Sequence, residues 1–319
     1  MNSIINESIA FALPLFIIAI GGIYAEGSGV INLALEGLLG MGAFFGGFMF
    51  ALISTKMGIN STSLVYMSLV FAMIGGGLFA VIYAVLAINF RANQVIGGVV
   101  INMLSVALSA FLANQLNLSI FGQASNKFAL TVFPRVNVAF LAKIPIIGAF
   151  FNNTYVFVYI ILVIALIMYY ILYKTPYGMS IRACGDNPQA VATAGRNVAK
   201  IRFSAVIISG VMSGLGGMCF AYSISTNFSP SIYVGYGYLA IASYIFGNWK
   251  IGQTLGACLI FGFARSMGYV MVQKFGLPST YSDLVFTFPY ILTLILLIFF
   301  SKNTKSPRAL GEVYSKSKR

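Results

Sequence analysis

The segment from Lys174 to Phe203, KTPYGMSIRACGDNPQAVATAGRNVAKIRF, is the one long polar and basic stretch lying between two strongly apolar ones. It carries Lys174, Arg182, Arg196, Lys200 and Arg202 against the single acid Asp186. That bias is expected of a loop held on the cytoplasmic side of a membrane. Inside it the residues punctuate a short helix. Asn187 suits the N-cap, Pro188 the first helical position, Gln189 to Ala194 are mostly helix-compatible, and Gly195 falls where a left-handed residue ends a helix. A helix of about two turns is marginal alone in water. It therefore needs a docking surface, either the transmembrane core or a separate soluble partner.

Outward from this loop the 319 residues are 59% hydrophobic and 8% charged, with mean hydropathy +0.92. Such a composition describes a polytopic membrane protein. Runs such as Leu64 to Ile88, Tyr155 to Tyr173 and Leu284 to Phe300 approach or exceed the roughly 20 apolar residues that span a bilayer as helix. They lack the alternation of a β-barrel strand. The net charge of +13 sits at run ends and in the tail, without a basic groove or interleaved aromatics, so it marks topology and not nucleic-acid binding. The first run follows Glu7 and no Lys or Arg, so it reads as a retained span and not a cleaved signal. Cys184, Cys219 and Cys258 have no metal-ligand spacing and imply neither disulfide nor zinc. No His is present, which removes His triads, metal sites and relays. No cofactor is expected.

In chain order, Ile9 to Tyr24 is a first span, broken by Glu26-Gly27-Ser28-Gly29 before a second run, Val30 to Ile53. If that run is helical throughout, Ser28, Asn32 and Glu36 form one polar stripe. A carboxylate at membrane depth faces protein or a water-filled path, so Glu36 either pairs structurally or lines a path. The run is glycine-dense, and Gly42 and Gly46 form a small-xxx-small pair that allows close helix packing. Leu64 to Ile88 is a third span. Arg91 to Gly97 is a polar turn, and a fourth span to about Ile120 carries Gln94, Gly98, Asn102 and Ser105 or Ser109 on one face. Phe121 to Asn153 reads as a connection with an interfacial or re-entrant element, and Tyr155 to Tyr173 as the fifth span. Beyond the basic loop come Ser204 to Ser225, a short run Tyr233 to Phe246, Thr254 to Val272, Leu284 to Phe300 and a basic tail.

This reading predicts an all-α polytopic protein of about nine transmembrane helices, within a range of eight to ten, N-terminus outside and C-terminus cytoplasmic. Residues 1–303 form the transmembrane domain, made of a first half 1–173, the loop 174–203 and a second half 204–303; residues 304–319 form the tail. In each half a first span is followed by a Gly-, Ser- and Asn-containing break and a second interrupted run, and the two first spans cross in opposite directions. Such pairs point to a transport site between inverted repeats.

No H-E-x-x-H, G-x-S-x-G or G-x-x-x-x-G-K-[ST] pattern is present, so enzymatic chemistry and self-sufficient ATP binding are not indicated. Few ionisable residues lie in the apolar runs. A permease driven by a separate ATPase therefore fits better than a secondary carrier, which remains the alternative of another class.

Four segments carry a resemblance: GGIYAEGSGVINLALEG (21–37), RANQVIG (91–97), RACGDNPQAVATAG (182–195) and PYILT (289–293). Together they resemble the bacterial ABC importer permeases of the branched-chain amino acid, ribose and nucleoside group, over nearly the whole chain, and are most similar to the shorter permease of nucleoside importers that work with a basic-membrane-protein-type lipoprotein. The resemblance implies a type II ABC importer fold, a heterodimer with a second related permease, ABC ATPase subunits below and a substrate-binding lipoprotein above. It also implies that Asp186, Asn187, Pro188, Gln189, Ala190, Val191, Ala194 and Gly195 belong to the helix that couples to the ATPase. The family's first motif usually has Arg where this chain has Gly27, so any ion pair made by that Arg is absent. The expected substrate is a nucleoside, with ribose or another simple sugar as the alternative. Asn32, Glu36, Asn102, Ser213 and Asn227 are the candidates for contact along the path, each weighed against a helix-to-helix hydrogen bond.

Overall fold

The structure, a computed structural model, describes residues 2–58, 62–137, 151–231, 233–275, 287, 290–291, 295 and 305–314. Among them the helices are α1 (Asn2–Gly27), α2 (Leu35–Met57), α3 (Thr62–Ala84), α4 (Gln94–Leu116), α5 (Val156–Lys174), α6 (Pro176–Asp186), α7 (Pro188–Thr193), α8 (Val198–Phe220), α9 (Tyr236–Phe246) and α10 (Ile251–Phe275). Six stretches have the length and apolar composition of a span: Ile4–Gly27, Leu35–Lys56, Thr62–Asn89, Gln94–Phe121, Val156–Lys174 and Val198–Ser225. The third, fourth and sixth each include a terminal π-helical turn. In lipid a helix is favoured because it satisfies its own backbone polar groups.

Burial orders these helices. Residues 8–26 of α1 are all buried, so it is the central helix; in the most apolar stretches of α4 and α5 only 28% and 33% of residues are buried, and these helices face outward. Outward α4 residues such as Val99, Met103 and Phe111 are apolar and exposed, as a lipid or protein neighbour requires.

Glycine brings α2, α3 and α8 into backbone contact. A Cβ on Gly42 would lie 2.2 Å from the Gly214 Cα, and one on Gly214 would lie 2.2 Å from the Ala72 carbonyl oxygen. Gly46 is likewise closed in by the Ser68 carbonyl and the Met218 sulfur. The expected Gly42/Gly46 packing pair is therefore the seam of the bundle.

The second run differs from expectation. Residues 28–34 are turn and extended chain, and α2 begins only at Leu35, so Ser28, Asn32 and Glu36 form no helical stripe. Gly29 in this segment has φ +93° and would place a Cβ 2.7 Å from the Arg202 guanidinium. The segment enters the bundle from the end that carries α7 and reaches Ser209, halfway along α8. After α8, residues 226–231 and 233–235 enter from the opposite end and lead into α9, whose 11 residues are too few to span. At that opposite end two short antiparallel pairs tie connections together, Phe128↔Phe228 with Ala129↔Asn227, and Arg135↔Tyr155 with Val136↔Thr154.

The count of about nine spans is thus not reproduced among the described residues. The run Tyr233 to Phe246 yields the short α9, and Thr254 to Val272 falls within the 25-residue α10. Leu284 to Phe300 and the interrupted stretch within Phe121 to Asn153 lie largely outside the described residues.

The tail packs on the body instead of leaving it. The Ala309 N–H donates to the Gly185 carbonyl at 2.8 Å, the Gly311 N–H to the Gly29 carbonyl at 3.0 Å, and the Lys305 N–H to Asn248 Oδ1 at 2.7 Å. Arg202, 3% exposed, donates to the Ser28 carbonyl at 3.2 Å and the Glu312 carbonyl at 2.6 Å. One buried guanidinium so joins α8, the break after α1 and the tail.

Candidate functional site

The expected short helix is present as α7. Asn187 sits at φ −151°, ψ 93°, and its Oδ1 accepts the Ala190 N–H at 3.0 Å, with Pro188 following at the first helical position. Gly195 has φ +77°. The Gly195 N–H donates to the Ala192 carbonyl at 3.0 Å and the Arg196 N–H to the Val191 carbonyl at 3.2 Å, the paired bonds of a Schellman stop. Pro188 and Val191 are buried inward, while Gln189, Ala190, Thr193 and Ala194 face solvent. Beside the N-terminus of α7 a cavity of about 520 Å³ is lined by Asp186, Asn187 and Gln189 and by Arg308, Glu312 and Tyr314 of the tail.

One helix of this region lies beyond the sequence reading. α6 repeats the punctuation of α7: Thr175 Oγ1 accepts the Gly178 N–H at 3.2 Å and Pro176 is the first helical residue. The Thr175-Pro176 pair is the local signal. Arg196 braces this platform by donating to Ser180 Oγ and, at 3.4 Å, to the Pro176 carbonyl. Burial pushes the Cys184 thiol up from its ordinary value, so the thiolate needed for redox or metal chemistry is disfavoured. No group of residues suited to a metal ion occurs among the described residues.

Within the bundle, three of the five candidate path residues meet where the two interrupted segments converge. Asn32 Nδ2 donates to Ser209 Oγ at 2.8 Å. Asn102 of α4 takes over the start of α2: its Oδ1 accepts the Gly37 N–H at 2.7 Å, and its Nδ2 donates to the Leu33 carbonyl at 2.8 Å and to Tyr238 Oη at 3.1 Å. Glu36 caps α9 in the same manner. Its Oε2 accepts the Gly235 N–H at 2.9 Å, and the Gly237 and Tyr238 N–H groups also donate to the carboxylate. A helix that begins inside a bundle has orphan N–H groups and a positive dipole end, both satisfied by a carboxylate. Ser213 bonds back to the Ser209 carbonyl at 2.7 Å on its own helix. Asn227 stands apart, in the short strand Asn227–Phe228, with its Nδ2 donating to the Ser225 carbonyl at 3.0 Å.

Glu26 is equally enclosed. It is 4% exposed and accepts from Tyr244 Oη at 2.7 Å and from Trp249 Nε1 at 2.8 Å. These neutral donors occupy the carboxylate beside Gly27. Glu26→Leu would orphan both donors, at about 1–3 kcal/mol each. The expected result is a lower melting temperature together with a shifted emission of Trp249, the only tryptophan in the chain. Unchanged emission would show that the Trp249 bond is not made.

A further cavity, of about 700 Å³, opens at the end of the bundle away from α7, among the first turns of α1, the lead-in to α9 and the middle of α10. None of the five candidate path residues lines it.

Membrane-length helices around a buried central one, a glycine-sealed seam and two interrupted segments meeting inside define a multi-pass membrane protein with a capped helix held out at one end. The chain belongs to the family described as the branched-chain amino acid transport system permease component, whose model matches residues 4–297. It is 36% identical to the guanosine ABC transporter permease protein NupQ of Bacillus subtilis, over all of this chain and 98% of the relative. It is 35% identical to the nucleoside ABC transporter permease protein NupC of Lactococcus lactis, with the same coverage. To the putative glucose ABC transporter permease protein TsgC13 of Haloferax volcanii it is 26% identical, over 98% of this chain and 97% of the relative. No solved structure matches the chain.

Proposed function

We propose that this chain is the permease subunit of an ATP-driven ABC importer for nucleosides. The carrying observation is the end-to-end similarity to two permeases named for nucleoside or guanosine transport, at 36% and 35% identity against 26% for the one named for glucose. In this reading α7 is the coupling helix. It is rigidly capped, anchored by Pro188 and Val191, and offers a face of small and polar side chains to a separate ATPase. The partners are that ATPase, a second related permease and a substrate-binding lipoprotein.

The α7 end is cytoplasmic and the N-terminus outside, an orientation supported by Lys174, Arg182, Arg196, Lys200, Lys305 and Arg308 around α7. The breaks after α1 and α8 enter from opposite ends and meet at the bond between Glu36 and Gly235, which supports two inverted halves with the path near their contact. Asn32 and Asn102 hold the spacing there, Ser213 bonds within its own helix, and Glu36, only partly buried, is the better placed to touch solute, with Asn227, also partly buried, farther along the path.

Reconstitution in liposomes tests the class. With ATPase, partner permease and lipoprotein present, guanosine uptake should require ATP. Saturable guanosine flux down a gradient through this chain alone would make it a secondary carrier and overturn the reading.

A further inference from the structure

We propose that the cavity of about 700 Å³ at the outer end of the bundle is a nucleoside subsite belonging to the permease itself, separate from the residues where the two breaks meet. It rests on the nucleoside reading above. The volume is that of a small-molecule site, and the lining combines the elements a nucleoside needs.

Two buried polar atoms of the lining have no hydrogen-bond partner among the described residues. They are Asn6 Oδ1 on α1 and Ser266 Oγ on α10, and Ser266 is 2% exposed. Buried polar groups are nearly always hydrogen-bonded, and each exception calls for a cause. Here one exception is an acceptor and the other both donor and acceptor, on two residues that line the same cavity. Ribose hydroxyls or a base amide would satisfy both.

The same lining holds an aromatic pair. Phe11 and Tyr236 meet edge to face with centroids 5.2 Å apart, and the Arg265 guanidinium lies 4.5 Å from the Phe11 centroid. Phe11 is buried beneath the guanidinium, so Tyr236 and Arg265, both partly exposed, supply the flat faces on which nucleobases stack. A simple sugar would leave these faces unused. Glu7 lines the same space within electrostatic range of Arg265, which offsets the guanidinium and favours a neutral ligand over a phosphorylated one.

Because Ser266 Oγ has no hydrogen-bond partner among the described residues, Ser266→Ala removes a candidate ligand contact without removing a fold hydrogen bond. The probe is radiolabelled guanosine, bound to the purified complex of both permeases and the ATPase without lipoprotein, where receptor affinity cannot mask the permease. Wild type should bind saturably. Ser266→Ala should weaken binding about tenfold with an unchanged melting temperature, the scale of one lost hydrogen bond. Tyr236→Leu, which removes a stacking face, should weaken it comparably. Binding unchanged in both variants, alongside normal ATP-driven guanosine uptake, would overturn the subsite and leave the nucleoside reading intact. A wild-type complex that with its lipoprotein imports no nucleoside would overturn both.

Discussion

Ala194→Glu is expected to reduce ATP-driven uptake by more than about tenfold while the protein inserts and folds as wild type. Ala194 is exposed at the end of α7, so the fold loses nothing when it changes. A partner cleft closing over α7 would instead have to bury an unpaired carboxylate, which costs several kcal/mol, and each 1.4 kcal/mol is about a factor of ten. Gly195→Val tests the same helix by another route. A Cβ there meets nothing within 4 Å, so the penalty is conformational: φ +77° is left-handed, and a β-branched residue pays about 1–2 kcal/mol or more to hold it. The Schellman stop should loosen and α7 lose its fixed angle. Uptake and ATPase stimulation, measured with membrane abundance as control, decide the matter. Full uptake in both variants would exclude α7 as the coupling element.

Gly214→Val should have the largest effect on folding. The added Cβ would lie 2.2 Å from the Ala72 carbonyl oxygen and 3.3 Å from the Gly76 Cα. Both are backbone, which no side-chain rotation can move aside. Overpacking a tight core costs about 1–3 kcal/mol and more when the backbone must part, and here α8 would have to separate from α3. The expected outcome is loss of monodisperse protein on size exclusion in detergent. Gly256→Val is the control, since a Cβ at this exposed α10 position meets nothing within 4 Å. Equal behaviour of the two variants would refute the seam.

Much of the α7 region was legible because its signals are local. Asn187, Pro188 and Gly195 act through their own φ and ψ and through bonds within eight residues, so the helix could be placed to its caps. The twin signal at Thr175-Pro176 was equally present and would have revealed α6. The polar residues of the membrane were legible only as types. Glu36 could be recognised as a carboxylate needing partners, yet its partners are N–H groups some 199 residues away in sequence. The supposed stripe of Ser28, Asn32 and Glu36 failed because apolar composition does not tell a helix from an extended segment enclosed by other helices.

What the sequence by itself determined is the class of the protein: many apolar segments, a basic capped loop, no catalytic or nucleotide-binding motif, and four segments of a permease family. These follow from the cost of exposing backbone to lipid and from short-range caps, which each residue carries with it. Only the tertiary structure decided where α2 begins, that the tail clasps the α7 end through Arg202, and that Asn102 and Glu36 cap helices of other segments. Only it brought Asn6, Phe11, Tyr236 and Ser266 around one cavity. A helix start inside a bundle is stable only if a distant side chain meets its free N–H groups, and the register of packed helices determines which one arrives.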